Sequence, residues 1–297
     1  MDHQHSNNNL KNIGFAFGLN FSFTILEIIG GVIFNSLAII SDALHDAGDS
    51  LSLGLSWFFE RYSNRQRDQK YTYGYRRYSL LGAVVNTIIL FIGAVIIVQC
   101  TLGRLINPMP PHAFGMMGFA ILGIIVNGFA VWRLRGSESF NTKLVFWHLL
   151  EDVLGWVAVL VVSIVLRFTS WYFLDPLLAL IITLYVLFNV LKNLRKTLAV
   201  FLQSVPENIS NTEVIAQLSH IPKVKSVHHT HLWSIDGEHH VLTTHVVVEE
   251  NTSKVEIVRI KEQVRQLANT LNCEHITVEI EYCDTECTMY PKNHDAC

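Results

Sequence analysis

From Ile13 onward the chain runs in long apolar stretches parted by short polar ones, and six of these reach the ~20 residues that a helix needs to cross a bilayer. They are Ile13–Phe34, Leu37–Phe59, Ser79–Leu102, Ala113–Trp132, Leu144–Leu166 and Tyr172–Leu191. Pro108, Pro110 and Pro111 separate the third from the fourth, where a helix cannot continue. Near Phe201 the periodicity changes. Asn211–Ser219 has helical spacing, and Val224–Ile235 and His240–Glu249 read as strands about a turn at Asp236-Gly237. Ser253–Leu271 carries Ile257, Ile260, Val264, Leu267 and Leu271 along one helical face, and Ile276–Tyr282 alternates apolar with polar as a half-buried strand does. The expected fold is an α-helical membrane protein of six spans with a C-terminal α+β domain in the order αββαβ, its helices on one face of a small sheet. The expected boundaries are a tail over 1–12, a membrane domain over 13–200 and a soluble domain over 201–297 with a cysteine-containing end.

Basic residues set the expected orientation. Arg61, Arg65, Arg67, Lys70, Arg76 and Arg77 lie between spans two and three. Arg133, Arg135 and Lys143 lie between four and five, and Lys192, Arg195 and Lys196 follow six. The opposite loops hold only Arg104 and Arg167, so both termini are expected in the cytoplasm. With 50% hydrophobic and 16% charged residues, the chain is too apolar for an ordinary soluble protein. A net charge of −3 offers no footprint for nucleic acid. Five cysteines do not make a disulfide scaffold, and the polar start does not read as a cleaved signal peptide.

The chemistry lies in spans two and five. His45 precedes Asp49 by four residues, and His148 precedes Asp152 by four, so each pair projects from one helical face. Two such clamps supply two nitrogens and two carboxylate oxygens, a tetrahedral shell for zinc or a similar ion. Span two also carries Asp42 and Asp46. Three central acids cost about 9 kcal/mol at roughly 3 kcal/mol each, more than polar helix packing returns, so these residues point to transport of a divalent metal. Asp42, one turn from His45, is read as a cap or as an acid on the ion's way in. Asp46, about 100° round the helix, is read as facing a water-filled vestibule beside the ligands. Glu151 is read as pointing away from the His148/Asp152 face. Asn20, Asn86 and Asn127 are expected to hydrogen-bond between helices, and Glu27 needs a partner or a proton.

The chain resembles the cation diffusion facilitator family of zinc and cadmium exporters. The resemblance rests on Ser41-Asp42-Ala43-Leu44-His45 through Asp49, Tyr73-Gly74-Tyr75-Arg76-Arg77, His148 with Asp152, Asp175-Pro176, and Val227-His228-His229-Thr230-His231-Leu232-Trp233-Ser234. It implies a homodimeric secondary transporter, not an enzyme, that exports cytoplasmic Zn²⁺ in exchange for protons. The implied ligands are His45, Asp49, His148 and Asp152, and the implied tail is metallochaperone-like. Cd²⁺ and Co²⁺ are the other cargo ions it implies. Tyr71 and Tyr75 stand where some members carry loop metal ligands. The loop before span five has no histidine, which favours a compact bacterial-type protein of the inner membrane.

By the same resemblance His228 and His245 match tail ligands, with Glu279 or Glu281 as a further one. Cys283 and Cys287 are candidates at the chain's end, and the tail's Zn²⁺ is expected to be regulatory. Alternation along the first strand sets His228 on one side and His229, His231 and Trp233 on the other. His3 and His5 are candidate capture ligands in a disordered tail. Two competing readings are an intramembrane zinc hydrolase using Glu151 or Asp46, which lacks an HExxH motif, and a membrane-anchored metal sensor, which leaves the membrane acids unexplained.

Overall fold

The computed structural model describes residues 18, 21–63, 65–134 and 140–283. The N-terminal tail, the start of the first span and Cys287 lie outside the described residues. The helices α1 (Phe21–Ile33), α2 (Leu37–Ser63), α3 (Tyr78–Ile106), α4 (Ala113–Leu134), α5 (Phe140–Phe168) and α6 (Leu174–Phe201) come first. They are followed by α7 (Asn211–Ser219), β1 (Val224–Ser234), β2 (His240–Val248), α8 (Lys254–Thr270) and β3 (Cys273–Tyr282). Helices α3 to α6 each hold a stretch long and apolar enough to cross a membrane. Helix α2 has the length, at 27 residues, but carries the acids. Several helices run past the apolar windows of the sequence, because backbone hydrogen bonding continues after hydropathy falls.

By contacts the chain divides into two units. One comprises the chain up to Glu60 together with Leu81–Leu194, and the other comprises Arg61–Leu80 together with Arg195–Cys297. The segment before α3 thus groups with the C-terminal domain.

In the first unit, Ala38, Ile39, Met116, Ala120, Trp156 and Val159 form a fully buried core. Ile88, Ile92 and Ile96 of α3 and Ile125 and Phe129 of α4 are exposed, as suits side chains whose solvent is lipid. Gly123 lets α4 approach α5 closely, since a Cβ there would lie 2.3 Å from the Trp156 ring. Asp175, in the first turn of α6, caps α2. Its Oδ2 accepts from the Leu37 N–H at 2.8 Å, and its Oδ1 accepts from Ser36 Oγ at 2.6 Å and the Ala38 N–H at 3.3 Å. Asp42 therefore does not serve as the cap that its position near the start of span two allowed. The Leu37 and Ala38 N–H groups are taken by this residue from another helix, and the Ile39 N–H by Ser36 Oγ.

In the second unit, β2 lies between β1 and β3, antiparallel to the first and parallel to the second. Helix α8 supplies the crossover that a parallel pair requires. Ser210 caps α7, and Ser253 with Glu256 forms a capping box at α8. Val214, Leu218, Leu242, Val246, Ile260 and Val264 fill the core. Asn272 takes φ +58° after α8, a left-handed conformation asparagine tolerates, and β3 starts directly after it. The strand thus begins three residues before the alternating run that revealed it.

Candidate metal centres

Helices α2 and α5 bring the first set together. His148 Nε2 lies 2.9 Å from Asp49 Oδ2, His45 Nε2 lies 4.0 Å from the same oxygen, and Asp152 Oδ1 lies 3.9 Å from His45 Nε2. The two imidazoles are 5.7 Å apart, centre to centre. His45, Asp49 and His148 each offer a ligand atom within 4.8 Å of the others, and Asp152 closes on them from the His45 side. Two ligands on a tetrahedral zinc stand about 3.3 Å apart, so contacts of 2.9 to 4.0 Å bracket the shell. His45 Nε2, Asp49 Oδ2 and Asp152 Oδ1 are buried yet make no hydrogen bond of good geometry among the described residues. Converging polar atoms left in that condition fit a cation better than they fit each other.

Around this set the acids fall differently from expectation. A cavity of about 360 Å³ is lined by Asp42, His45, Glu151, Asp152, Gly155 and α6 residues including Tyr185. Asp42 lines it and Asp46 does not. Asp46 is 7% exposed and turned toward Glu27 of α1, which is fully buried. The vestibule assigned to Asp46 belongs to Asp42, because helical geometry gives an angle between side chains but not the neighbour that each one meets. Glu151 shares this cavity with His45 and Asp152 rather than facing away from them. Asn86 Oδ1 and Asn127 Nδ2 make no hydrogen bond among the described residues, contrary to the interhelical pairing expected of them.

The second set lies on the sheet. His228 Nε2 is 3.1 Å from Glu281 Oε2, and His245 Nδ1 is 2.6 Å from Glu281 Oε1. His228 pairs with His245 across β1 and β2, and His245 with Glu279 across β2 and β3. Glu279 reaches His245 Nε2 at 3.4 Å from a more exposed position, so Glu281 is the central carboxylate. Alternation fails at His229. A bulge between His228 and His231, with His229 at φ +52°, turns its ring to within 5.2 Å of His245 and 4.9 Å of His231. Packing and the neighbouring imidazoles His231, His245 and His228 hold the His229 pKa below its ordinary value, which keeps the metal-binding neutral form. Cys283 lies at the end of the described chain, directly after β3.

In the sequence, Arg76 counts only toward membrane orientation and toward the Tyr73-Gly74-Tyr75-Arg76-Arg77 run that carries the resemblance. It reaches Asp236, His239 and Glu274 in the C-terminal domain, contacts between distant segments that no local pattern in the sequence signals.

Residues 14–202 match the family described as "Cation efflux transmembrane domain", and residues 206–283 match "Cation efflux protein, cytoplasmic domain". The chain is 33% identical over 286 residues to the metal cation efflux system protein CzcD of Cupriavidus metallidurans, covering 96% of this chain and 90% of that protein. It is 30% identical over 295 residues to the zinc transporter ZitB of Escherichia coli, with 95% and 93% covered. A Bacillus subtilis protein named as a cadmium, cobalt and zinc/H(+)-K(+) antiporter is 28% identical over 289 residues, with 95% and 92% covered.

Proposed function

The chain belongs to the cation efflux family of membrane metal transporters, and we propose that it exports Zn²⁺, with Cd²⁺ and Co²⁺ as further cargo, in exchange for protons. The observation that carries this reading is the convergence of His45, Asp49 and His148 within 4.8 Å, with Asp152 at 3.9 Å from His45. Imidazole nitrogens select zinc over ions that prefer an all-oxygen shell. The ligands hold metal only when deprotonated, so Zn²⁺ arriving from the cytoplasm displaces protons. Rocking of helices about the site then exposes it to the opposite side, where protons compete the metal off. The Bacillus relative's name as an antiporter supports this exchange.

In this reading the protein crosses a bacterial inner membrane six times and keeps both termini in the cytoplasm. It works as a homodimer, as the match of residues 206–283 to the family's cytoplasmic domain supports. The membrane domain runs over 13–200 and the regulatory domain over 201–297. There His228, His245 and Glu281, with Glu279 at the rim, bind regulatory Zn²⁺ that biases the transporter's conformation. Cys283 and Cys287 are reserve ligands at its end.

Zn²⁺ uptake into proteoliposomes under an imposed pH gradient tests the transport reading. Asp49→Ala and Asp152→Ala are each expected to lower the initial rate more than tenfold. Uptake that survives both substitutions together, or that ignores the gradient, would overturn it.

A further inference from the structure

The turn between β1 and β2 presents His239 in a fixed place. Asp236 Oδ1 accepts from the Glu238 and His239 N–H groups at 2.9 and 2.8 Å, and the His239 carbonyl accepts from the Ile235 N–H at 2.8 Å. Asn272 Nδ2 donates to the Glu238 carbonyl at 2.9 Å, which holds the same turn against the start of β3. Held there, His239 Nδ1 meets two groups with opposite requirements. Asp236 Oδ2 lies 2.7 Å away and can only accept, whereas Arg76 Nη1 lies 2.6 Å away and can only donate. A ring nitrogen carries either a hydrogen or a lone pair, so it serves one of them at a time. Nε2 faces Glu274 Oε1 at 3.6 Å. A neutral ring with its hydrogen on Nε2 points that hydrogen at Glu274 and leaves Nδ1 to accept from Arg76. The other neutral tautomer turns a lone pair toward Glu274 and an N–H toward Arg76, and satisfies Asp236 alone.

We propose that His239 makes the hold of Arg76 on the C-terminal domain a proton-sensitive clasp. With the ring neutral, Arg76 bridges His239 Nδ1 and Glu274 Oε1, the latter 2.7 Å from Nη2, and the clasp is closed. A proton on Nδ1 gives the ring to Asp236 and sets a second cation against the guanidinium. Nη1 then loses its acceptor, and the imidazolium competes with Arg76 for both carboxylates. The turn is fixed by its own hydrogen bonds, so the side chain that yields is Arg76. The other charged or titratable groups round the ring are Glu238 in the turn, His240 at the start of β2, and His275 beside Glu274, where the Tyr73 ring packs at 4.9 Å. None of these groups belongs to either candidate metal set, so the clasp responds to protons without metal and whatever the cargo. The segment before α3 is held to β3 and to the β1–β2 turn at neutral pH, and is released as pH falls through the range in which imidazole gains charge.

The test is hydrogen exchange over residues 68–77 of the full chain at pH 7.5 and 5.5, read by mass spectrometry and corrected for the intrinsic pH dependence of exchange. Chelator is present throughout, so that metal plays no part at either pH. Protection is expected to be about fivefold lower at pH 5.5, the size of a solvent-screened ionic contact. Arg76→Ala should show the low level at both values. His239→Asn sets an amide oxygen close to where Nδ1 stands and cannot be protonated, so it should keep the high level at both. Asp236→Asn keeps the turn's acceptor but removes the charge that draws the proton, so the acid transition should move about one unit lower in pH. Equal protection of the starting chain at the two values overturns the proposal. So does an acid loss that survives in His239→Asn, since the proton would then act at another histidine. A transition that stays in place in Asp236→Asn overturns it as well, even where His239→Asn disturbs the turn.

Discussion

Arg76 Nη2 donates to Glu274 Oε1 at 2.7 Å, joining the segment that leads into α3 to the start of β3. Its Nη1 lies 2.6 Å from His239 Nδ1 and 3.6 Å from Asp236 Oδ2, and the Tyr73 ring packs 4.9 Å from that of His275. Behind this grip the segment is held by hydrogen bonds of its own. Asp68 accepts from Tyr75 Oη and from the N–H groups of Tyr71 and Lys70, which holds its carboxyl below the usual range. The Tyr71 and Tyr75 rings lie 4.6 Å apart. The Arg76 guanidinium thus joins the segment before α3 to β3 and to the turn between β1 and β2.

Replacing Arg76 with alanine should loosen both sides of that tie. A side chain one-third exposed is screened by solvent, so the expected cost is about 1 kcal/mol. Hydrogen exchange should accelerate across residues 68–77 and around Asp236. Arg76→Lys should recover only part of the protection, because a single ammonium cannot serve two acceptors as a planar fork does. Unchanged exchange in Arg76→Ala would mean that the contact holds nothing in place.

Gly123→Ala should be poorly tolerated. The new methyl would meet the buried Trp156 ring at 2.3 Å, one turn beyond Asp152 on α5. Overpacking of this kind costs about 1–3 kcal/mol. The melting temperature should fall and Zn²⁺ affinity should weaken, whereas Gly128→Ala, which meets nothing within 4 Å, should change neither. Equal melting temperatures for the two variants would contradict the close approach.

Metal should stabilise the C-terminal domain through the His228/His245/Glu281 set. At a hundredfold excess over Kd the gain is about 2.7 kcal/mol, and His245→Ala should remove it. The pH dependence has a definite sign. His229 and His240 both titrate below the ordinary histidine value, so in acid the native domain binds fewer protons than the unfolded chain. Their contribution is complete above about pH 6.5 and is lost as pH falls through the lowered native values. Thermal melts at pH 5.5 and 7.5, with Zn²⁺ and with chelator, should show the metal-dependent gain only at the higher pH.

Burial pushes the Cys273 thiol up to about 11. Its thiolate should be about a hundredfold scarcer than that of an ordinary cysteine at pH 8. Maleimide labelling followed by mass spectrometry should therefore be slow at Cys273 in the folded protein and fast after denaturation. Labelling at equal rates would show that β3 opens readily.

The sequence by itself determined the elements and the two clamps. A helical repeat of 3.6 residues puts His45 with Asp49, and His148 with Asp152, on common faces, and the structure brings those faces together. Ser210 at α7 and the Ser253/Glu256 pair at α8 cap their helices through contacts that span only three residues. Only the tertiary structure decided which neighbour each remaining group meets. It gave the cap of α2 to Asp175 of α6, the cavity to Asp42 rather than Asp46, and Arg76 to Glu274. It also turned His229 toward His245 through a bulge that strict alternation does not contain. The division has a physical cause. Local periodicity fixes the direction of a side chain relative to its own helix or strand, whereas its partner depends on how distant segments pack.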